Sequence, residues 1–245
     1  MVQLAFDQTG SGPLLVLVHG ITENRHSWDP LLDRLATNHR VLRVDLRGHG
    51  DSPTAASYDL TELAADIEPL VDEPPVLVGH SLGGNVVTAY AAQFPTRGVV
   101  NIDQSLNLAP MQAGLKEQEP LLRGEAFPLV IDALFTSLRG QVDDHEWQRL
   151  TELRKANPDV VLGIWGVMLD TTPEELTTVA DSLISGITAP YLALNGFDLG
   201  PDYPTWLAQR IPTAVVETWD GVGHYPHLVR PDEFLARLAA FEATL

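Results

Sequence analysis

Four short runs of the chain, Leu14 to Val18, Val41 to Val44, Val76 to Val78 and Val99 to Ile102, are almost continuously apolar and rich in branched residues. A strand with one wet face alternates apolar and polar residues, so runs without alternation belong to strands covered on both faces, as in a parallel sheet. Between them lie Trp28 to Thr37, Leu60 to Val71 and Leu82 to Phe94, longer segments whose apolar residues recur near a 3.6 spacing and read as crossover helices. Strands joined by helices in this rhythm predict an α/β fold, a doubly wound and mostly parallel sheet with helices on both faces.

The rhythm lapses from Ser105 to Ser185, which reads as mostly helical and is broken into short pieces by Pro110, Pro120, Pro128, Pro158 and Pro173. It resumes with a strand at Tyr191 to Asn195, a helix near Pro204 to Arg210, a strand near Ala214 to Trp219 and a closing helix from Asp232 to about Leu245. The division that follows is a sheet core of residues 1–104 and 186–245 with a helical cap inserted at 105–185. A chain of 245 residues, 44% hydrophobic and 20% charged, has enough apolar surface for one large core.

Charge and cysteine content exclude several function classes. With 15 Lys and Arg against 33 Asp and Glu, the net charge of −18 repels nucleic acid phosphates and anionic membranes. No cysteine is present, so disulfides, thiolate metal sites and a cysteine nucleophile are all ruled out. The start, Met1 to Asp7, shows no basic-then-apolar leader, and the Leu14 to Val18 run of five residues is far short of the roughly 20 that span a bilayer. The expectation is a cytoplasmic protein acting on a small molecule.

Gly79-His80-Ser81-Leu82-Gly83 is a G-x-S-x-G pentapeptide that directly follows one strand and opens a helix. That context is what a nucleophile elbow requires, because glycines two residues either side let strand and helix approach where the serine stands at a strained turn. The competing reading is a Gly-rich helix start in which Ser81 merely caps the helix. A serine hydroxyl is a poor nucleophile without a base. His224, in Gly221-Val222-Gly223-His224, lies between the last strand and the closing helix, where a loop brings it to the carboxyl edge of the sheet. His227, within a segment that resumes apolar packing, ranks behind it, and no H-E-x-x-H or carboxylate-rich pattern turns the two into a metal site. The base needs an orienting carboxylate. Asp198, just past the strand at Tyr191 to Asn195 and 26 residues before His224, is the first choice, and Asp103, at the end of the strand at Val99 to Ile102, is its rival.

These motifs together resemble the α/β-hydrolase family, in its serine-nucleophile, carboxylesterase-like and lipase-like branch. His19-Gly20 with Trp28 downstream, and Asp45-Leu46-Arg47-Gly48-His49-Gly50-Asp51-Ser52 after the next strand, look like further signatures of it. The resemblance covers nearly the whole chain and implies a cap after the family's sixth strand, no cofactor, and the order nucleophile, acid, base, here Ser81, Asp198, His224. It implies an oxyanion hole formed by the backbone N–H groups of Ile21 and Leu82. His19 and Arg47 are expected to brace turns without a chemical role. The chain departs from the pattern in offering a single short strand, Val2 to Asp7, before Leu14, where relatives often carry a hairpin.

The insert supplies large apolar residues, of which Met111, Trp147 and Trp165 are expected to line the substrate pocket. The predicted activity is cleavage of a carboxylic ester or similar acyl bond of a small, largely apolar substrate. Lactonase, carbon-carbon hydrolase, acyltransferase and cofactor-free haloperoxidase chemistry, or a non-catalytic receptor, are the alternatives that the same scaffold hosts. A serine at the elbow argues against the dehalogenases and epoxide hydrolases, which resemble this chain but place an aspartate there. Gly10-Ser11-Gly12 precedes its strand, so no dinucleotide fingerprint is present.

Overall fold

A computed structural model describes all residues, 1–245. Seven strands, β1 (Phe6–Gly10), β2 (Leu14–Val18), β3 (Arg40–Val44), β4 (Val76–His80), β5 (Gly98–Ile102), β6 (Tyr191–Asn195) and β7 (Ala214–Thr218), form one sheet in the order β1-β3-β2-β4-β5-β6-β7. All neighbours are parallel except β1, which runs antiparallel to β3. Helices α1 (Asp29–Leu35), α2 (Leu60–Ala65) and α3 (Leu82–Gln93) connect the first strands. Five helices, α4 (Ala109–Leu122), α5 (Phe127–Leu138), α6 (Asp144–Leu153), α7 (Pro158–Asp170) and α8 (Pro173–Ile184), lie between β5 and β6. After β6 come α9 (Tyr203–Ala208), α10 (Pro226–Val229) and α11 (Pro231–Glu242). No helix is long and apolar enough to cross a membrane.

The unalternating strands are explained by two cores. Every residue of β2, β4, β5 and β6 is buried. Leu14, Val16 and Val18 point into the core shared with α2, α3 and the inserted helices, whereas Leu15 and Leu17 point into a second core with Trp28, Leu31, Phe234 and Leu238 from the other face. Side chains of one strand therefore divide by the period of two between layers that are both dry.

The edges of the sheet are where the sequence signal was weakest. The first strand was expected at Val2 to Asp7, but β1 starts at Phe6, runs to Gly10 and is mostly exposed. An edge strand covers little apolar surface, so its register is held by polar groups: Arg43 binds the Asp7 carboxylate through two nitrogens at 2.8 Å. Residues ahead of β1 are tied down as well, with the Val2 N–H donating to Asp66 at 2.6 Å and the Ala5 N–H to Ser52 at 2.8 Å. The hairpin that relatives often carry is absent, and a single strand precedes β2.

In the insert, Pro110, Pro128, Pro158 and Pro173 stand in the first turns of α4, α5, α7 and α8, where a missing N–H costs no helical bond. Pro120 does not break α4 as expected. It sits in its interior, near the end at Leu122. Thr172 and Glu175 close a capping box on α8, and Asp143 and Asn157 cap α6 and α7. The insert is fastened to the carboxyl edge of the sheet by backbone bonds from Lys155 N–H to Thr22 C=O (2.8 Å), His224 N–H to Leu138 C=O (3.1 Å) and Gln141 N–H to Val222 C=O (2.9 Å).

The loop after β3 carries a pH-sensitive element. His49 is buried 5.1 Å from the His19 ring, and its Nδ1–H donates to Arg47 C=O at 3.0 Å. Burial, reinforced by His19, pushes its pKa from 6.5 down to about 3. The unfolded chain thus takes up a proton below 6.5 that the native state refuses, so stability present above 6.5 is lost as the pH falls from there toward 3. Thermal melts should show a declining Tm over this interval, with a shallower decline in His49→Gln; equal slopes in the two proteins would show that His49 does not carry the effect.

Candidate active site

Ser81 is the single residue between the end of β4 and the start of α3, and its backbone adopts φ 53° and ψ −123°. A side chain on Gly79 would collide with the backbone of Gly83, and one on Gly83 with the carbonyl of Val18, so glycine is required at both positions for α3 to close on the sheet. The Ser81 hydroxyl makes no capping bond to α3, contrary to what the helix-cap reading requires. Three non-glycine residues have positive φ, Thr22, Ser81 and Asp103, and all three lie in loops at the carboxyl edge around this serine. Backbone held in this sparsely populated region has to be imposed by its surroundings, and such residues cluster at functional sites.

His224 Nδ1 lies 2.5 Å from Asp103 Oδ2, and both side chains are largely buried. The other oxygen of Asp103 accepts the Gly196 N–H at 2.7 Å, which fixes the carboxylate in place. The imidazole is thereby oriented through Nδ1, and Nε2 is left as the free nitrogen.

Asp198, expected in this role, is not at the histidine. It stands in the exposed loop after β6 and accepts the N–H of Gly200 at 2.8 Å, closing its own turn. The register of the sheet explains the difference. His80 pairs with Ile102 and the Ser81 N–H donates to Ile102 C=O at 2.9 Å, so Asp103 comes off the strand next to the elbow, whereas Asp198 comes off β6, one strand further away. Chain order could not separate them, because both aspartates lie between Ser81 and His224.

A buried polar group stands behind the histidine. His80 Nε2–H donates to the His224 carbonyl at 2.8 Å, its ring lies 4.6 Å from the His224 ring, and its Nδ1 is 3.6 Å from Glu23 Oε2. Tyr225 OH donates to the other Glu23 oxygen at 2.9 Å and itself receives a bond from Arg154 at 3.0 Å. Burial alone would raise the Glu23 carboxyl, but the facing His80, the Arg154 charge and the Tyr225 hydroxyl outweigh it and hold the group well below the usual carboxylate range. Sequence reading missed Glu23 and Arg154, which carry no motif. His227 is buried against Trp28 and His80, where burial first and His80 second push its pKa well below 6.5. His19 donates through Nδ1 to Gly20 C=O and accepts the Leu46 N–H, and Arg47 binds Asp66 and Glu62; both brace loops, as expected.

Ile21, Ser81 and Leu82 line one small cavity of about 40 Å³ together with Met111 and Trp165. The Ile21 N–H has no protein acceptor, and Leu82, as the first residue of α3, has no intrahelical one, so two donors are free beside the serine. Of the three side chains expected at a substrate pocket, Met111 and Trp165 line this cavity. Trp147 does not: it packs outside this cavity, with the Arg154 guanidinium 4.4 Å from its ring and Tyr225 edge-on at 6.5 Å. Its indole is held by a cation, whose position on α6's far end the sequence did not disclose.

Comparison with known proteins gives a consistent picture. The profile of the family described as "Alpha/beta hydrolase family" matches residues 15–237. The pimeloyl-[acyl-carrier protein] methyl ester esterase of Neisseria meningitidis serogroup B is 30% identical over 239 residues, 90% of this chain and 89% of that one. Among solved structures, a hydrolase from Pseudomonas aeruginosa PA01 superposes with a TM-score of 0.78 at 24% identity, over 97% of this chain and 93% of the other. Est816, an N-acyl homoserine lactone degrading enzyme, superposes with a TM-score of 0.68 at 24% identity, over 98% of this chain and 97% of the other.

The pairing of His224 can be checked without any substrate. A short buried bond between imidazole Nδ1–H and a carboxylate moves the ring proton far downfield in the NMR spectrum. That resonance should vanish in Asp103→Asn and persist in Asp198→Asn; the reverse outcome would restore Asp198 as the partner.

Proposed function

The chain belongs to the alpha/beta hydrolase family, and we propose that within it the protein is a serine hydrolase that cleaves the carboxylic ester of a small, largely apolar molecule. The observation that carries this reading is a histidine oriented through Nδ1 by the buried Asp103, at the carboxyl edge that also presents Ser81 on its strained elbow. A neutral imidazole held in that tautomer has its other nitrogen available as a base. The named activity of the Neisseria relative, a methyl ester esterase, supports an ester as the scissile bond.

In this mechanism His224 Nε2 takes the Ser81 proton as the hydroxyl oxygen attacks the ester carbonyl carbon. The N–H groups of Ile21 and Leu82 stabilise the negative charge that develops on the carbonyl oxygen; losing one such donor costs on the order of 3 kcal/mol. Collapse of the tetrahedral intermediate expels the alcohol, protonated by His224. Water, deprotonated by the same imidazole, then releases the acid and restores Ser81. Asp103 keeps the tautomer and stabilises the imidazolium as it forms. Residues 105–185 act as a cap that shapes the acyl site and shields it from water.

Wild-type protein mixed with p-nitrophenyl butyrate should release a burst of nitrophenolate equal to the enzyme present, and Ser81→Ala, checked for an unchanged fold, should abolish it. Asp103→Asn should lower kcat on the order of 10⁴-fold, while Asp198→Asn stays within about threefold. A burst that survives Ser81→Ala would sink the assignment.

A further inference from the structure

The cavity above Ser81, about 40 Å³, has room for only a few atoms, yet it adjoins a far larger space. Between α4 and α5 lies an open groove of about 660 Å³ in which ten of twelve lining residues are hydrophobic, the others being Gly114 and Gln118. Met111 and Trp165 line both spaces, so these two side chains form the partition between them. Methionine is unbranched and adapts readily, so this partition can yield to a ligand. On the rim, Met111, Leu121 and Leu129 are exposed, unusual for large apolar side chains clustered in a chain of net charge −18.

A second recess, of about 330 Å³, also borders the serine cavity, through Leu60, Leu108, Ile164 and Val167. It carries Ser57 and Asp59, whereas the α4/α5 groove has no charged residue. A hydrocarbon chain gains most where no polar group has to be dehydrated, which favours the groove. Direction follows from the catalytic groups: His224, which protonates the leaving alcohol, does not line the serine cavity, while Met111 and Trp165 do. The alcohol leaves on the His224 side and the acyl part lies toward Met111.

We propose that the groove between α4 and α5 binds the linear aliphatic acyl chain of a medium- to long-chain ester, with Met111 as the gate between it and Ser81. This rests on the ester hydrolase reading above and adds the substrate class. Each methylene moved from water into the groove should tighten binding by about fourfold until the groove is filled.

Gly114 offers a direct test, because a side chain built there meets nothing within 4 Å and would project into open space. Replacing a mid-helix glycine also favours the helix, so Gly114→Phe should fill the groove without unfolding α4. The readout is the ratio of kcat/KM for p-nitrophenyl decanoate to that for the acetate. This ratio should be large in the wild type, fall at least tenfold in Gly114→Phe, and hold in Gly166→Leu, which alters the second recess. A ratio unchanged in Gly114→Phe, or lost in Gly166→Leu instead, overturns the proposal. Displacement of Nile red by 1-dodecanol from Ser81→Ala protein measures the groove apart from the chemistry. Binding that Gly114→Phe abolishes supports the groove even if no ester is turned over, and that combination would fell the esterase reading alone. Ester turnover with no dodecanol binding and no length dependence would fell the groove alone. A concentration-dependent dimer dissociated by Gly114→Phe would identify a second copy as the occupant and refute the proposal.

Discussion

One close approach of backbone to backbone organises the rest of the protein. Helix α3 can follow β4 after one residue only because Gly79 and Gly83 lack side chains, so the Gly83 backbone passes beside Gly79 and Val18 at van der Waals limits. The turn drives Ser81 to φ 53°, a conformation costing of order 1–3 kcal/mol that the packed sheet and helix sustain. It holds the serine at the head of α3 beside the unpaired N–H of the helix start. The proposed nucleophile and one proposed oxyanion donor thus come from the same steric constraint.

Around this elbow the candidate site is assembled from loops at the carboxyl edge of the sheet. Thr22 and Asp103 are held at positive φ like Ser81, and the His224 backbone is clamped on both sides, by Leu138 through its N–H and by His80 through its carbonyl. The clamp is itself anchored in charge: Glu23, buried and ionised between His80, Tyr225 and Arg154, is stable only while those partners stay in place. Arg154 comes from the insert and Glu23 from the loop that carries Ile21, so the insert and the loops of Ile21 and His224 meet in one polar knot. Sequence-distant segments are locked together here by the cost of leaving a carboxylate dehydrated and unpaired.

The insert is divided in the same spirit. Residues 138 to 155 are bound to the loops of Thr22 and His224 by backbone and side-chain hydrogen bonds, while α4 and α5 present apolar surface to an open groove. One half of the insert preserves geometry and the other offers open volume, so that under the proposed reading acyl specificity can change without disturbing the histidine.

The amino-acid sequence alone determined the features that contiguous residues encode. The central strands are legible because burial on both faces removes alternation, and Ser81 is legible because the elbow's sterics demand glycine at fixed offsets. His224 follows from its place between the last strand and the last helix. The edge strand β1 was misplaced because it buries little and is held by Arg43 and Ser52, partners with no local pattern. Only the tertiary structure chose Asp103 over Asp198, since both follow strand ends and both precede His224. The choice depends on β5, not β6, lying beside β4, and on a bond joining residues 121 positions apart. Trp147 likewise left the expected pocket for Arg154 and Tyr225. Periodicity and turn sterics act between neighbours in the chain, whereas partner choice among equivalent side chains is set by strand order and register, which no short segment contains.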